Sequence, residues 1–276
     1  MIVFLDGAYV ESERAVSAED RGLLLGHGAF ETIYVEGGAC AFLDAHLERL
    51  RCGLRVLGIA FNSDVDVRGV AKNLADRNGV NGRGALRLTV TGGPAGRGPD
   101  GRASATLLIT LTPIERATRP ITISLASYAR CAGSIAARCK LIGGYVDNLA
   151  ALAEARSRGF DEAIMLNEHG DVACATVANL FLIAPDGVVA TPRVADGALP
   201  GVVRGLLLGG AHGVKITERA IRPEEVANGG IFLTNSLRGV APCAGADASV
   251  QATQALERLQ SWYSDALADD LRRGLI

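Results

Sequence analysis

The stretch SIAARCKLIGGYVDN (134–148) decides how this 276-residue chain is read. At its centre stands a lysine, in a chain that hardly uses lysine. Of 28 basic residues only three are Lys, at positions 72, 140 and 215. Arginine stays protonated, so it cannot stand in where chemistry needs an amine that gives up its proton. Lys72, in AKNLADRNG, reads as part of a solvated helix face. Lys215 opens VKITERAI and alternates with Thr217, which reads as the solvent face of a strand. Lys140 differs, because its neighbours are small and apolar and a Gly-Gly pair follows. Desolvation disfavours an ammonium in such surroundings. A neutral amine is what a Schiff base requires. An ion pair between domains would suit the same position.

Outward from this stretch, the pattern is mixed. Residues 1–10 read as a hairpin turning at Asp6-Gly7, and FETIYVE (30–36) and ACAFL (39–43) as two strands joined at Gly37-Gly38. Leu47, Leu50, Leu54 and Leu57 have helical spacing, with Asp44 as the expected N-cap. A second helix is expected over 64–78, and strands over 84–93 and 105–113. PIERATRP (113–120) reads as a linker, dividing a domain of residues 1–115 from one of residues 116–276. Beyond it, ITISLAS (121–127) reads as a strand and residues 147–159 as a helix. Further strands are expected over 162–166, 178–184, 188–192, 214–221 and 230–236. A short helix is expected over 203–208, a helical turn over 224–227 and an amphipathic helix over 252–271. Strands and helices in both halves predict two α+β or α/β domains.

Composition narrows the function. The net charge is −2, and a nucleic-acid binder would show a basic excess. With 49% hydrophobic and 21% charged residues the chain is not disordered. No uncharged apolar run approaches the ~18 residues of a membrane span. MIVFLDGAYVESE lacks a basic region and is not read as a signal peptide. The six cysteines form no C-x-x-C pair and read as reduced thiols, so a cytoplasmic enzyme is expected. The four histidines show no metal-ligand spacing, and no metal is expected. His46 reads as a capping or packing residue. There is no G-x-S-x-G, and GGPAGRGPDGR (92–102) lacks the following helix of a phosphate loop.

Several motifs occur together and in order. They are Asp20-Arg21-Gly22, Gly26-x-Gly28-x-Phe30-Glu31-Thr32, His46-Leu47-x-Arg49-Leu50, Leu86-Arg87 and Gly96-Arg97-Gly98. Lys140-x4-Tyr145-x2-Asn148, Gly159-Phe160-Asp161-Glu162-Ala163 and Asn179-Leu180-Phe181 follow, then Leu199-Pro200-Gly201-Val202-Val203-Arg204 and Thr234-Asn235-Ser236-Leu237-Arg238-Gly239. On these the chain resembles the class IV (fold type IV) pyridoxal-phosphate enzymes. That family includes branched-chain and D-amino-acid aminotransferases and 4-amino-4-deoxychorismate lyase. The resemblance implies a two-domain fold with the cofactor cleft between the domains, pyridoxal 5'-phosphate as cofactor, a small-molecule substrate and a homodimer. It implies that Lys140 forms the Schiff base and then carries protons at the substrate's Cα. Tyr145 would hydrogen-bond the cofactor's phenolic oxygen. Arg49 would hold the phosphate, with the backbone N–H groups of Val202 and Val203 and the Ser236 hydroxyl. Phe30 and Thr32 would line the substrate side, and Arg97 would meet a substrate carboxylate.

Three positions depart from the family pattern. Relatives place a Glu five residues before the Asn of N-[IL]-F, where it keeps the pyridine nitrogen protonated; here that residue is Cys174. A thiol is a weak neutral donor with a pKa of ~8.5. His27 stands where relatives have Asp, and Val203 where Thr is usual. Either a Cys174 thiolate pairs with the pyridinium, or the chemistry uses a weaker electron sink. By analogy with β-eliminating enzymes of other folds, which place a neutral hydroxyl here, the first expectation is a lyase of the aminodeoxychorismate type, eliminating pyruvate to give 4-aminobenzoate. The alternatives are an aminotransferase for branched-chain or D-amino acids, and a non-catalytic member of the family.

Overall fold

The structure is a computed structural model and describes residues 1–61, 64–95, 104–115, 119–245 and 249–274, apart from the side chain of Arg14. Two compact units emerge, each with its own core.

The first unit takes residues 1–115, 139–144 and 267–276. Strands β1 (Ile2–Leu5) and β2 (Ala8–Glu11) form the expected hairpin, with Asp6 and Gly7 at φ +45° and +96°. Helix α1 (Arg21–Leu25) precedes β3 (Gly28–Glu36) and β4 (Ala39–Cys40). Helices α2 (Leu43–Val56) and α3 (Val67–Asn78) lead to β5 (Arg83–Thr91) and β6 (Thr106–Pro113). The sheet order is β2-β1-β6-β5-β3-β4. Ile33, Leu86, Leu88, Ile109 and Leu111 are fully buried and share one core with Leu50, Leu54 and Leu74 of the two long helices.

Three expectations change here, and one helix is added. Asp44 lies inside the first turn of α2, and the N-cap is Phe42 in the left-handed region, its N–H donating to the Asp270 carboxylate. α3 starts at Val67, after the cap position Asp66, instead of at Asp64. The strand expected over 39–43 ends at Cys40 because the chain turns into α2. α1 was too short to leave a periodic signal; Asp20 caps it, accepting from Gly22 N–H at 2.7 Å.

The second unit takes residues 116–138 and 145–266. Its elements are β7 (Ile123–Leu125), α4 (Ile135–Arg138), α5 (Val146–Ser157), β8 (Glu162–Leu166), β9 (Val172–Ala175), β10 (Asn179–Ile183) and β11 (Val189–Thr191). Then come α6 (Val202–Gly209), β12 (Ile216–Glu218), α7 (Pro223–Asn228), β13 (Gly230–Asn235), β14 (Gly239–Pro242) and α8 (Val250–Arg273), whose residues from 267 on belong to the first unit. The sheets are β12-β11-β10-β13-β14 and β7-β8-β9. Leu180, Leu182, Leu233, Ile164 and Val172 form its main core. The strands expected over 121–127 and 214–221 shrink to three residues each. β9 and β14 are four residues long and carry no alternation to announce them. Of the linker stretch, residues 116–118 lie outside the described residues.

The lysine segment belongs to the first unit although it lies far along the chain. Lys140 C=O accepts from Phe30 N–H at 3.1 Å, Ala29 and Leu141 form an antiparallel bridge, and Ile142 N–H donates to Gly28 C=O at 2.9 Å. Residues 140–142 thus run as an added edge along the start of β3. The contact is close enough to demand glycine: a Cβ on Gly26, which has φ +64°, would stand 2.7 Å from Gly143 Cα.

Candidate active site

The first unit presents its chemistry on β3. Period-two alternation sends Ala29, Glu31, Ile33 and Val35 toward α2 and leaves Phe30 and Thr32 on the opposite face. The Lys140 amine lies over the Phe30 ring, 4.4 Å from its centroid. The Arg87 guanidinium stands 3.8 Å from the same centroid, from the β5 position paired with Thr32. Phe30 is buried and Arg87 exposed. Arg87 appeared in the sequence only as part of a motif; what singles it out is its place on this face. Arg97 lies outside the described residues.

Behind the sheet, Glu31 is a buried carboxylate held by two α2 residues. Arg49 donates from Nε to Oε1 at 2.7 Å and from Nη2 to Oε2 at 2.6 Å. His46 Nδ1 donates to Oε2 at 2.7 Å. Burial pushes the Glu31 pKa up, but the bonds from Arg49 and His46 outweigh it and hold the carboxyl at about 2. Burial also lowers the pKa of His46, against the pull of Glu31, so His46 is the neutral donor here. The family resemblance implied a phosphate anchor at Arg49 and gave no sign of its carboxylate partner. His46 is buried, with its ring hydrogen-bonded to that carboxylate. The departure at His27 also has a structural account. Its Nδ1 accepts from Arg21 Nε at 3.2 Å, while Nε2 donates to Leu57 C=O at 3.1 Å.

The second unit presents an uncapped helix start. Gly201, the N-cap of α6, has no side chain to donate or accept. A Cβ there would fall 2.0 Å from Asn179 Oδ1, and Asn179 Nδ2 donates to Leu199 C=O at 2.8 Å. The first N–H groups of α6, those of Val202 and Val203, therefore have no capping side chain. Val203 itself is buried, so its side chain adds apolar packing and no hydroxyl. Thr234, paired with Asn179 across β13 and β10, is 1% exposed and its Oγ1 has no hydrogen-bond partner. Asn235 Oδ1 accepts from the N–H groups of Leu237 and Arg238, which sets the turn that carries Ser236. Tyr145 is half-buried, at the N-cap of α5.

Cys174 lies in β9 opposite Met165 and is buried with Ala151 and Ala173. Burial pushes its thiol upward in pKa; Arg130 pulls it down and Glu162 pushes it further up. Arg130 was not singled out by the sequence, and Glu162 appeared there only as part of a motif. Arg130 is buried, and its donors go to neutral oxygens: Gly197 C=O at 2.8 Å, Asn148 Oδ1 at 3.0 Å and Ala136 C=O at 2.9 Å. Glu162 is fully buried, and burial raises its pKa although Thr176 donates to Oε1. Its Oε2 makes no hydrogen bond, the Arg238 guanidinium lying 3.6 Å away.

These residues fit a phosphorylated pyridine aldehyde in most respects. The first unit offers an amine beside an aromatic ring. The second offers an uncapped helix start and an unpartnered buried hydroxyl, suited to an anion with several acceptors. The one discordant group is the Cys174 thiol. No cluster of potential metal ligands occurs among the described residues, and no described helix is long and apolar enough to cross a membrane.

Comparison with known proteins agrees with this inventory. The family model described as amino-transferase class IV matches residues 28–245. A branched-chain-amino-acid aminotransferase of Pseudomonas aeruginosa is 30% identical, over 82% of this chain and 78% of its own. An aminodeoxychorismate lyase of Bacillus subtilis is 27% identical, over 87% of this chain and 85% of its own. Among solved structures, a branched-chain aminotransferase of Thermoproteus uzoniensis superposes with a TM-score of 0.85 at 24% identity, covering 99% of this chain and 96% of that one, which bears on the fold alone. With the ordered motifs and the architecture above, these matches establish that the chain belongs to the class IV aminotransferase family, a family of pyridoxal-phosphate enzymes.

Proposed function

We propose that this chain is a lyase of the aminodeoxychorismate type, which eliminates pyruvate and leaves 4-aminobenzoate. The observation that carries this reading is the buried, neutral Cys174 where the family pattern has a carboxylate. Likeness over most of its length to an aminodeoxychorismate lyase supports it.

When bound, pyridoxal phosphate supplies a carbonyl for the substrate amine and a ring that draws electrons from Cα. Lys140 is the residue assigned to hold the cofactor and then to take the Cα proton. As that C–H bond breaks, the neighbouring C–O bond breaks too, and the enolpyruvate that departs takes up a proton to become pyruvate. The ring left behind gains aromaticity, which drives the step. Arg49, the start of α6 and Ser236 are assigned to the phosphate, and Tyr145 to the phenolic oxygen. Phe30 and Thr32 line the substrate side. Arg87, exposed on their face, supplies a cation for a substrate carboxylate.

A second reading, transamination of branched-chain or D-amino acids, is favoured by the 30% identity to a branched-chain aminotransferase. The two separate in one assay. The lyase forms pyruvate and 4-aminobenzoate in equal amounts with no keto acid present. An aminotransferase turns over only with a keto-acid acceptor and shows ping-pong kinetics.

A further inference from the structure

Arg130 is the most unusual charge in the second unit. It is 9% exposed, and its Nε, Nη1 and Nη2 bonds all go to neutral oxygens. No carboxylate lies within salt-bridge distance of it among the described residues. A buried cation is ordinarily paired, because removing it from water is costly. The framework places it beside Cys174. Arg130 N–H donates to Leu166 C=O at 2.7 Å, one position beyond Met165, which pairs with Cys174. Gly197, whose carbonyl holds the guanidinium, packs so tightly on Ala173 that a Cβ there would come within 3.2 Å of the Ala173 methyl. Asn148 ties the group together, accepting from Arg130 and donating from Nδ2 to Thr176 C=O at 2.6 Å. A carboxylate at position 174 would have served as counter-ion. The thiol leaves the arginine unopposed.

We propose that Arg130 and Cys174 together form a cationic floor that keeps the pyridine nitrogen of the bound cofactor unprotonated. The inference rests on the cofactor role proposed above. Its physics is simple. A ring nitrogen gains a proton where a negative group faces it. Here the facing group is a thiol that burial keeps neutral, and the charge that acts on it most strongly is the Arg130 guanidinium, which opposes a second positive charge. Glu162, the other ionisable group felt by Cys174, has its pKa raised by burial, and its Oε2 faces the Arg238 guanidinium at 3.6 Å, which answers its charge. The consequence is selectivity by reaction type. Substrates whose Cα–H loss is coupled directly to departure of a leaving group are retained. Amino acids without such a leaving group, which need charge stored on the ring, are handled poorly.

The test is nitrogen NMR of the holoprotein loaded with ring-15N pyridoxal phosphate, for the wild type, C174E and C174S. The expected wild-type resonance is that of a neutral pyridine, unmoved between pH 6 and 8 as in C174S, while C174E shifts upfield to the protonated position. A protonated resonance in the wild type overturns the proposal whatever the variants do. A neutral resonance in a loaded C174E overturns the part assigned to Cys174. Failure of the wild type to take up cofactor in a form that borohydride fixes to Lys140 contradicts the proposed function instead, so the two failures are distinct.

Discussion

The Lys140 amine and the Phe30 ring are in direct contact, 4.4 Å from nitrogen to centroid, and the Phe30 N–H donates to the Lys140 carbonyl. One residue of β3 thus fixes the lysine at both its backbone and its side chain. Cation–π contact is worth ~0.5–2 kcal/mol according to desolvation. Phe30→Leu keeps the volume roughly constant while removing the ring quadrupole. The expected result is a loss of kcat/KM of up to about tenfold, with less than ~1.5 kcal/mol lost in stability. Steady-state kinetics and urea unfolding check it.

Glu31 governs acid stability. Its carboxyl titrates at about 2 in the folded protein, against 4.5 for the unconstrained group. A depressed carboxylate contributes stability above its unfolded value and loses it as the pH falls through its folded value. The contribution, on the order of 3 kcal/mol, is therefore complete above pH 4.5 and gone near pH 2. Glu31→Gln leaves Arg49 without its counter-ion and costs roughly 2–4 kcal/mol at pH 7. The gap between wild type and variant should close as the pH drops from 4.5 to 2. A gap that stays constant over that range would mean that Glu31 is not the titrating group.

Much of this was legible in the sequence, and the reason is periodicity. Helices α2 and α8 are long enough to show an apolar stripe, and the chain order of motifs carried the family. What was missed is non-local. The partnership of Glu31 with Arg49 spans 18 residues and two elements, and nothing in either local sequence announces it. The return of Lys140 to β3 is set by backbone hydrogen bonds, so a linear cut at residue 115 separates residues that pack together. Arg130 sits in a short apolar stretch that gives no sign of the three oxygens waiting for it. Strands of three or four residues, such as β7, β9 and β12, are held by their neighbours and have little pattern of their own.

The helix start of α6 tolerates no side chain at its cap. Gly201→Ala would bring a methyl to 2.0 Å from Asn179 Oδ1. Overpacking of this kind costs ~1–3 kcal/mol. Displacing Asn179 would also tilt the N–H groups of Val202 and Val203. Cofactor affinity should fall by at least about tenfold, while Gly205→Ala, with open space around it, leaves affinity unchanged. Fluorescence titration with pyridoxal phosphate distinguishes the two.

Arg87 is exposed, and its guanidinium stands over the Phe30 ring, 3.8 Å from the centroid. Arg87→Ala should cost less than ~1 kcal/mol in stability. If it binds a substrate carboxylate, KM rises about tenfold or more while kcat changes little, since such binding is shared by ground and transition states. Arg87→Lys should restore part of the loss. An unchanged KM would remove Arg87 from the substrate side.

The central claim is that Lys140 is the residue that holds the cofactor. The most direct test is the absorbance spectrum of the purified protein with added pyridoxal phosphate, recorded beside Lys140→Ala. The prediction is a visible band in the wild type, absent from the variant, that borohydride abolishes while fixing the cofactor covalently to a peptide containing residue 140. No band at saturating cofactor, or the same fixed band in Lys140→Ala, would contradict it.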